Sequence, residues 1–362
     1  MDGKIEFAFI MDHLREEREQ GITIDTAHTF FHTEKRAYII IDAPGHVEFV
    51  KNMLTGASQA EAALLIVDAN EGVGKQTRRH ANLVSMLGLT QIIVVINKMD
   101  IVNYEEIYFN RLKEEVHKFL NSVNLDPDFY IPISALKGDN VARHSENMKW
   151  YKSMTVLESL DSLVNEVPPE DKGLIFPIQD VYKISGKRIA VGRIEAGTLY
   201  SGMEVRILPG GGRTTVKSIE KFNESTDNAV AGESIGVMTN DPVFLERGNV
   251  LCSEEKELAI DDKISSSLIW LSKKAFTKGE KIGLRLATQE TKVDISEIKE
   301  RIDSSSLKIL EKNASSIDNL EIGEVEIKTK KPLVFTKFNA VKEMGRFVLV
   351  RGNDVVAGGI IT

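Results

Sequence analysis

Three short, nearly continuous apolar runs, Ala37–Asp42, Ala62–Asp68 and Ile92–Asn97, constrain this chain more than any other feature. Runs of this kind read as strands buried on both faces of a parallel sheet. Helix-length stretches accompany them at Val47–Gly56, Gln76–Leu87 and Glu105–Asn121. The last places Ile107, Tyr108, Leu112, Val116, Phe119 and Leu120 on one apolar stripe. Repeated strand–helix–strand units predict a doubly wound α/β domain with a mostly parallel sheet, spanning residues 1–167.

The character changes at Pro168-Pro169-Glu170-Asp171-Lys172-Gly173, where paired prolines, charges and a glycine read as a linker. Beyond it come short strand patterns at Ile189–Ile194, Glu204–Leu208, Thr215–Lys221 and Ser234–Met238, with Gly210-Gly211-Gly212 as a hairpin turn. This predicts a small β-barrel over 173–257. The polar stretch Glu254–Asp262 marks a second boundary, and a further β-rich domain is expected over 258–362, with one helix at Asp294–Ile302.

The formal net charge of −8 weighs against a dedicated nucleic-acid binder, which carries a basic excess. The best local basic cluster is Lys328-Thr329-Lys330-Lys331, a run that is commonly a solvated strand end. The single cysteine, Cys252, allows no internal disulfide and suits a reducing cytoplasm. No apolar run is long enough to span a membrane, and Met1–Glu19 lacks the pattern of a signal peptide. His28 and His32 are read as residues of an exposed strand edge rather than a metal site.

Two motifs carry the chemistry. Asp42-Ala43-Pro44-Gly45-His46 stands at the end of one strand pattern. A strand-end carboxylate at Asp42 can hold Mg²⁺ through water. Gly45, lacking a Cβ, lets its N–H approach a terminal phosphate, and a neutral His46 can orient an attacking water. Asn97-Lys98-Met99-Asp100 follows another strand, 55 residues later. The Asp100 carboxylate can accept from guanine N1–H and the exocyclic amine, a pair adenine does not offer. The Lys98 stem can cover the base face, and Asn97 can tie loops together. Ser134-Ala135-Leu136 follows the strand-like Phe129–Ile133 and can contact guanine O6. Upstream, Thr23 in Gly21-Ile22-Thr23-Ile24-Asp25 offers a hydroxyl for Mg²⁺ and the γ-phosphate, ahead of a strand-like Thr26–Phe31.

A phosphate cradle of the form G-x-x-x-x-G-K-[ST] does not occur in the 362 residues. The nearest stretch, Ala69–Gln76, has Ala69 in place of the first glycine and Gln76 in place of the Mg²⁺-binding hydroxyl, and is read as a loop.

The ordered set GITID, DAPGH, NKMD and SAL resembles the translational GTPase superfamily, as does Asp12–Asp25. Within it, Ser145–Tyr151 (SENMKWY), preceded by Gly138-Asp139-Asn140, resembles the GTPase subunit of bacterial ATP sulfurylase. Gln76–His80 and Thr33–Arg36 point the same way, with elongation factor 1-alpha as the near neighbour. The resemblance implies a G domain followed by two β-barrels and GTP/GDP with Mg²⁺ as cofactors. It implies that Thr23 and Asp42 serve the metal and Gly45 the γ-phosphate. His46 would position water, and Asn97, Lys98, Asp100, Ser134, Ala135 and Leu136 would form the guanine site. The implied function is GTP hydrolysis coupled to formation of adenylyl sulfate from ATP and sulfate, with a catalytic ATP sulfurylase subunit as cytoplasmic partner and no nucleic acid or membrane. The alternatives are an elongation-factor-like GTPase binding aminoacyl-tRNA, or a nucleotide-free scaffold docking a catalytic partner. Because the family places a strand, the cradle and a helix ahead of Lys4–Phe9, the chain is expected to be an incomplete form. The absent strand is central in such sheets, so its two neighbours are expected to have exposed edges.

Overall fold

The computed structural model describes residues 26–44, 60–164, 173–184, 186–221, 224–240 and 244–362. Thr23, Gly45, His46 and the helix expected at Val47–Gly56 lie outside them. The chain forms two compact units; the first runs to Asn165 and the second holds both barrels.

In the first unit, β1 (Ala27–His32) and β2 (Ala37–Asp42) form an antiparallel hairpin. A separate parallel sheet contains β3 (Ala62–Asp68), β4 (Gln91–Asn97) and β5 (Phe129–Pro132), in that order. Ile92–Ile96 are all buried, so β4 is the two-sided strand of a parallel sheet. The expectation for Ala37–Asp42 needs correction. It pairs antiparallel with β1, and Ile39 and Ile40 are exposed. Among the described residues no ladder joins β2 to β3, and Leu64 and Ile66 of β3 are exposed as well.

Among the described residues, three helices accompany the sheet: α1 (Lys75–Met86), α2 (Glu106–Ser122) and α3 (Val156–Ser162). α2 buries Phe109, Leu112, Val116, Phe119 and Leu120 against the sheet core. Ile107, expected on that stripe, is 85% exposed. It stands five residues before Leu112, well off the face, whereas Phe109 stands three before and lies on it. α3 begins with a reciprocal capping box. The Glu158 N–H donates to Thr155 Oγ1 at 3.3 Å, and the Thr155 N–H donates to Glu158 Oε2 at 2.8 Å.

The second unit holds two closed antiparallel barrels of six strands each. Around the first run Gly212–Lys221, Ser234–Thr239, Lys187–Arg193, Ile175–Ile184, Val250–Cys252 and Glu204–Leu208, which pairs back with Gly212–Lys221. The turn at Gly210–Gly211 closes the expected hairpin, with Gly211 at φ +76°. Around the second run Lys281–Leu286, Arg346–Arg351, Asp354–Ile361, Ala259–Trp270, Glu321–Phe335 and Gln289–Asp303, again closing on the first. Closure removes the free edges that an open sheet would leave.

The helix expected at Asp294–Ile302 is instead part of the strand Gln289–Asp303. Its register against Glu321–Phe335 shifts between Ile295 and Glu297 and again between Ile298 and Glu300. Each such bulge adds a residue, so the buried Ile295 and Ile298 stand three apart and imitate helical spacing.

The first barrel has a core of its own, and a second core spans both barrels. Ile175, Ala196, Leu208, Val250 and Cys252 of the first cluster with Leu268, Trp270 and Phe276 of the second. At this seam burial, and secondly the Glu343 carboxylate, push the Glu195 carboxyl up to about 7, against the pull of Arg193 and Arg346. The folded value lies above the ordinary value of 4.5, so the penalty for charging Glu195 is absent at acid pH and full above neutrality. Glu195→Gln should therefore stabilise the barrel pair at pH 8 by up to roughly 3 kcal/mol and change little at pH 4.5. Urea unfolding at the two pH values measures this; an equal effect at both would contradict it.

Candidate guanine-nucleotide site

The C-terminal ends of β3, β4 and β5 meet, and their loops carry the polar residues. The parallel register aligns Asp68 with Asn97, and Ile96 with Pro132. The Ala69 N–H donates to the Asn97 carbonyl at 2.8 Å, and the Met99 N–H donates to the Ile133 carbonyl at 3.0 Å. Strand ladders thus continue one residue into the loops on both sides of β4.

Asn97 holds this arrangement with its side chain. Its Oδ1 accepts from the Lys98 N–H at 2.7 Å and from the Ala135 N–H at 3.0 Å. The second bond spans 38 residues and ties the NKMD loop to the SAL loop. Lys98 sits at φ +67°, a left-handed conformation uncommon for a residue with a Cβ. Its ammonium pairs with Asp68 Oδ2 at 2.6 Å. Met99 is fully buried beneath the loop. Asp100 is half-buried, and its carboxylate accepts no hydrogen bond and forms no ion pair among the described residues.

Ser134 is fully buried, and its carbonyl accepts from the Gly138 and Asp139 N–H groups at 2.8 and 3.1 Å. Ala135 is exposed, with its N–H engaged by Asn97, and Leu136 is 73% exposed. Asp42 ends β2. Among the nucleotide and metal residues expected from the sequence, the structure therefore brings Asn97, Lys98, Asp100, Ser134 and Ala135 together. Asp68 was not singled out by sequence reasoning; a carboxylate ending an apolar strand was its only signal.

Behind this cluster the GDN and SENMKWY runs form a brace. Asn140, fully buried at φ +55°, donates through Nδ2 to the Pro132 carbonyl at 2.9 Å and accepts from the Ser145 N–H at 2.8 Å. Ser145 Oγ donates to Asp139 Oδ1 at 2.6 Å. Met148 is buried, Trp150 Nε1 donates to the Tyr104 carbonyl at 3.0 Å, and the Trp150 ring lies 5.4 Å from Phe109. These residues hold the SAL loop against β5 and α2.

Family models match almost the whole chain in sequence. Residues 2–169 match the elongation factor Tu GTP-binding domain, 187–252 match elongation factor Tu domain 2, and 263–362 match the eEF1A C-terminal domain. Elongation factor 1-alpha of Methanopyrus kandleri is 40% identical across 99% of this chain and 89% of its own length. The protein of that name from Methanocella arvoryzae is 38% identical across 99% and 87%. The chain belongs to the elongation factor Tu/1-alpha-like translational GTPases. A solved structure of sup35 complexed with GMPPNP is similar at a TM-score of 0.52 and 25% identity, covering 92% of this chain and 83% of that one.

These findings overturn three expectations. The relatives aligned end to end are elongation factors 1-alpha, so the assignment to sulfate activation does not stand, and the ATP sulfurylase partner falls with it. The SENMKWY run that suggested it is a packing brace, and a brace of buried contacts identifies a fold rather than a partner. The reading that nucleic acid is an improbable partner also falls with the elongation-factor kinship. Net charge is a whole-chain sum, and it conceals local patches: Lys263 pairs in register with Lys328, and Lys328, Lys330 and Lys331 are exposed on the same barrel.

If Asn97 is the tie between the loops, Asn97→Ala should release Ala135. Its amide should exchange with solvent at least about tenfold faster, while amides of Val94–Ile96 keep their protection. Hydrogen exchange read by NMR checks this; unchanged Ala135 protection would contradict the tie.

Proposed function

We propose that this chain is an elongation-factor-like GTPase that carries aminoacyl-tRNA in the cytoplasm, with a guanine nucleotide selected at the ends of β4 and β5. The observation that carries the reading is the unpaired, half-buried Asp100 carboxylate beside the Asn97 tie. A carboxylate in that state is a ready acceptor for two N–H donors on one edge of guanine, and adenine lacks that pair. Lys98 covers the base face, and Ser134, Ala135 and Leu136 line the site on the O6 side.

On the phosphate side the proposal assigns Gly45 to the γ-phosphate, Thr23 and Asp42 to Mg²⁺, and His46 to the attacking water. Mg²⁺, when bound, neutralises charge developing on the phosphate oxygens. His46 then acts by orientation, holding water through a neutral imidazole. The domain division proposed with this function is 1–167 for nucleotide, 173–257 and 258–362 for the barrels. The exposed lysines at 263, 328, 330 and 331 favour an anionic partner over a neutral one.

Ligand-observed NMR titration of the 362-residue chain with GDP and ADP tests the base site. GDP should bind more tightly, and Asp100→Asn should erase most of the difference, since one of the two oxygens facing the guanine donors becomes an uncharged NH2 that is itself a donor; a lost charged pair of bonds corresponds to about 10²-fold. Indistinguishable GDP and ADP affinities in the unsubstituted chain would sink the reading. Filter binding with aminoacyl-tRNA tests the partner: binding should weaken steeply with salt, and deacylated tRNA binding equally well would count against it.

A further inference from the structure

At the three strand ends, the nucleotide reading leaves the carboxylate that ends β3 without a role. Asp68, the last residue of β3, has a side chain only 20% exposed, yet it is fully engaged. Its Oδ1 accepts from the Asn70 N–H at 2.8 Å and the Glu71 N–H at 3.3 Å, which closes the turn after the strand. Its other oxygen, Oδ2, reaches across to the Lys98 ammonium at 2.6 Å. Burial acts to raise the Asp68 carboxyl, but Lys98 and the two turn amides outweigh it and hold the group below its ordinary value. The Lys98 ammonium is in turn raised, chiefly by its hydrogen bond to Asp68.

We infer that Asp68 is a positioning residue for the guanine site, fixing the Lys98 side chain so that its methylene stem forms the platform for the base. The inference rests on the guanine reading above. Two features single out Asp68 for this task. It is anchored by its own turn, so it can hold a flexible partner without moving. Lys98 needs such an anchor: its backbone is left-handed, its side chain is half exposed, and a free four-carbon stem would lose entropy on covering a base.

The roles of the two carboxylates then separate. Asp100 sets which base is bound, and Asp68 sets how firmly any purine is held. Asp68→Asn isolates the second role, because the amide oxygen still accepts from Asn70 and Glu71 while the negative charge that holds the Lys98 ammonium is lost. GDP and ADP titrations of the whole chain should show both dissociation constants raised about three- to tenfold in Asp68→Asn, with their ratio unchanged. Asp68→Glu should recover part of the loss, and the Asp68→Asn effect should vanish in a Lys98→Met background, where the stem remains but the ammonium does not. Thermal melting of Asp68→Asn should match the unsubstituted chain. Unchanged dissociation constants in Asp68→Asn, or a full effect persisting with Lys98→Met, would overturn the positioning role while leaving guanine selectivity intact. Equal GDP and ADP affinities in the unsubstituted chain are a different outcome: they remove the guanine site and this inference with it.

Discussion

One carboxamide organises the candidate site. Asn97 Oδ1 accepts two N–H groups, one from its own loop and one from a loop 38 residues on, while its main-chain carbonyl accepts from Ala69. Three strand ends are thereby joined at a single residue. The joint is rigid because β4 beneath it is buried from Ile92 to Ile96, so the loops hang from a strand that cannot shift. Lys98 can occupy its left-handed conformation, at a cost on the order of 1 kcal/mol, because bonds on either side of it over-determine the backbone.

Around that joint, charge is distributed rather than accumulated. Asp68 and Lys98 neutralise each other, and Asp139 is occupied by Ser145, so Asp100 alone of these groups is unpaired. The brace formed by Asn140, Ser145, Met148 and Trp150 has a different task. It satisfies buried polar groups and fills the space beside α2, which any domain of this architecture must do. That is why a conspicuous run of residues pointed towards sulfate activation and away from the elongation-factor relatives.

Most elements were legible because burial imposes a period. β2 and β3 have the expected limits, and β4 and both long helices differ by a residue at their ends. The departures have physical causes. Ile107 was drawn into the stripe by its hydrophobicity, but five residues on a helix carry it off the face that Phe109 occupies. Two bulges in Gln289–Asp303 turned a two-residue period into an apparent helical one. The apolar run Ala37–Asp42 became a half-exposed hairpin strand, since an apolar run states a preference for burial and does not supply the neighbour that provides it.

By itself, the sequence determined the order of the domains, the strand ends on which the NKMD and SAL residues sit, and the chemistry those residues offer to guanine. These follow from local periodicity and side-chain type. Only the tertiary structure decided which of these groups are available. It joined Asn97 to Ala135, paired Lys98 with Asp68 and left Asp100 unpaired, because these contacts link residues far apart in the chain, and their pairing depends on how parallel strands align.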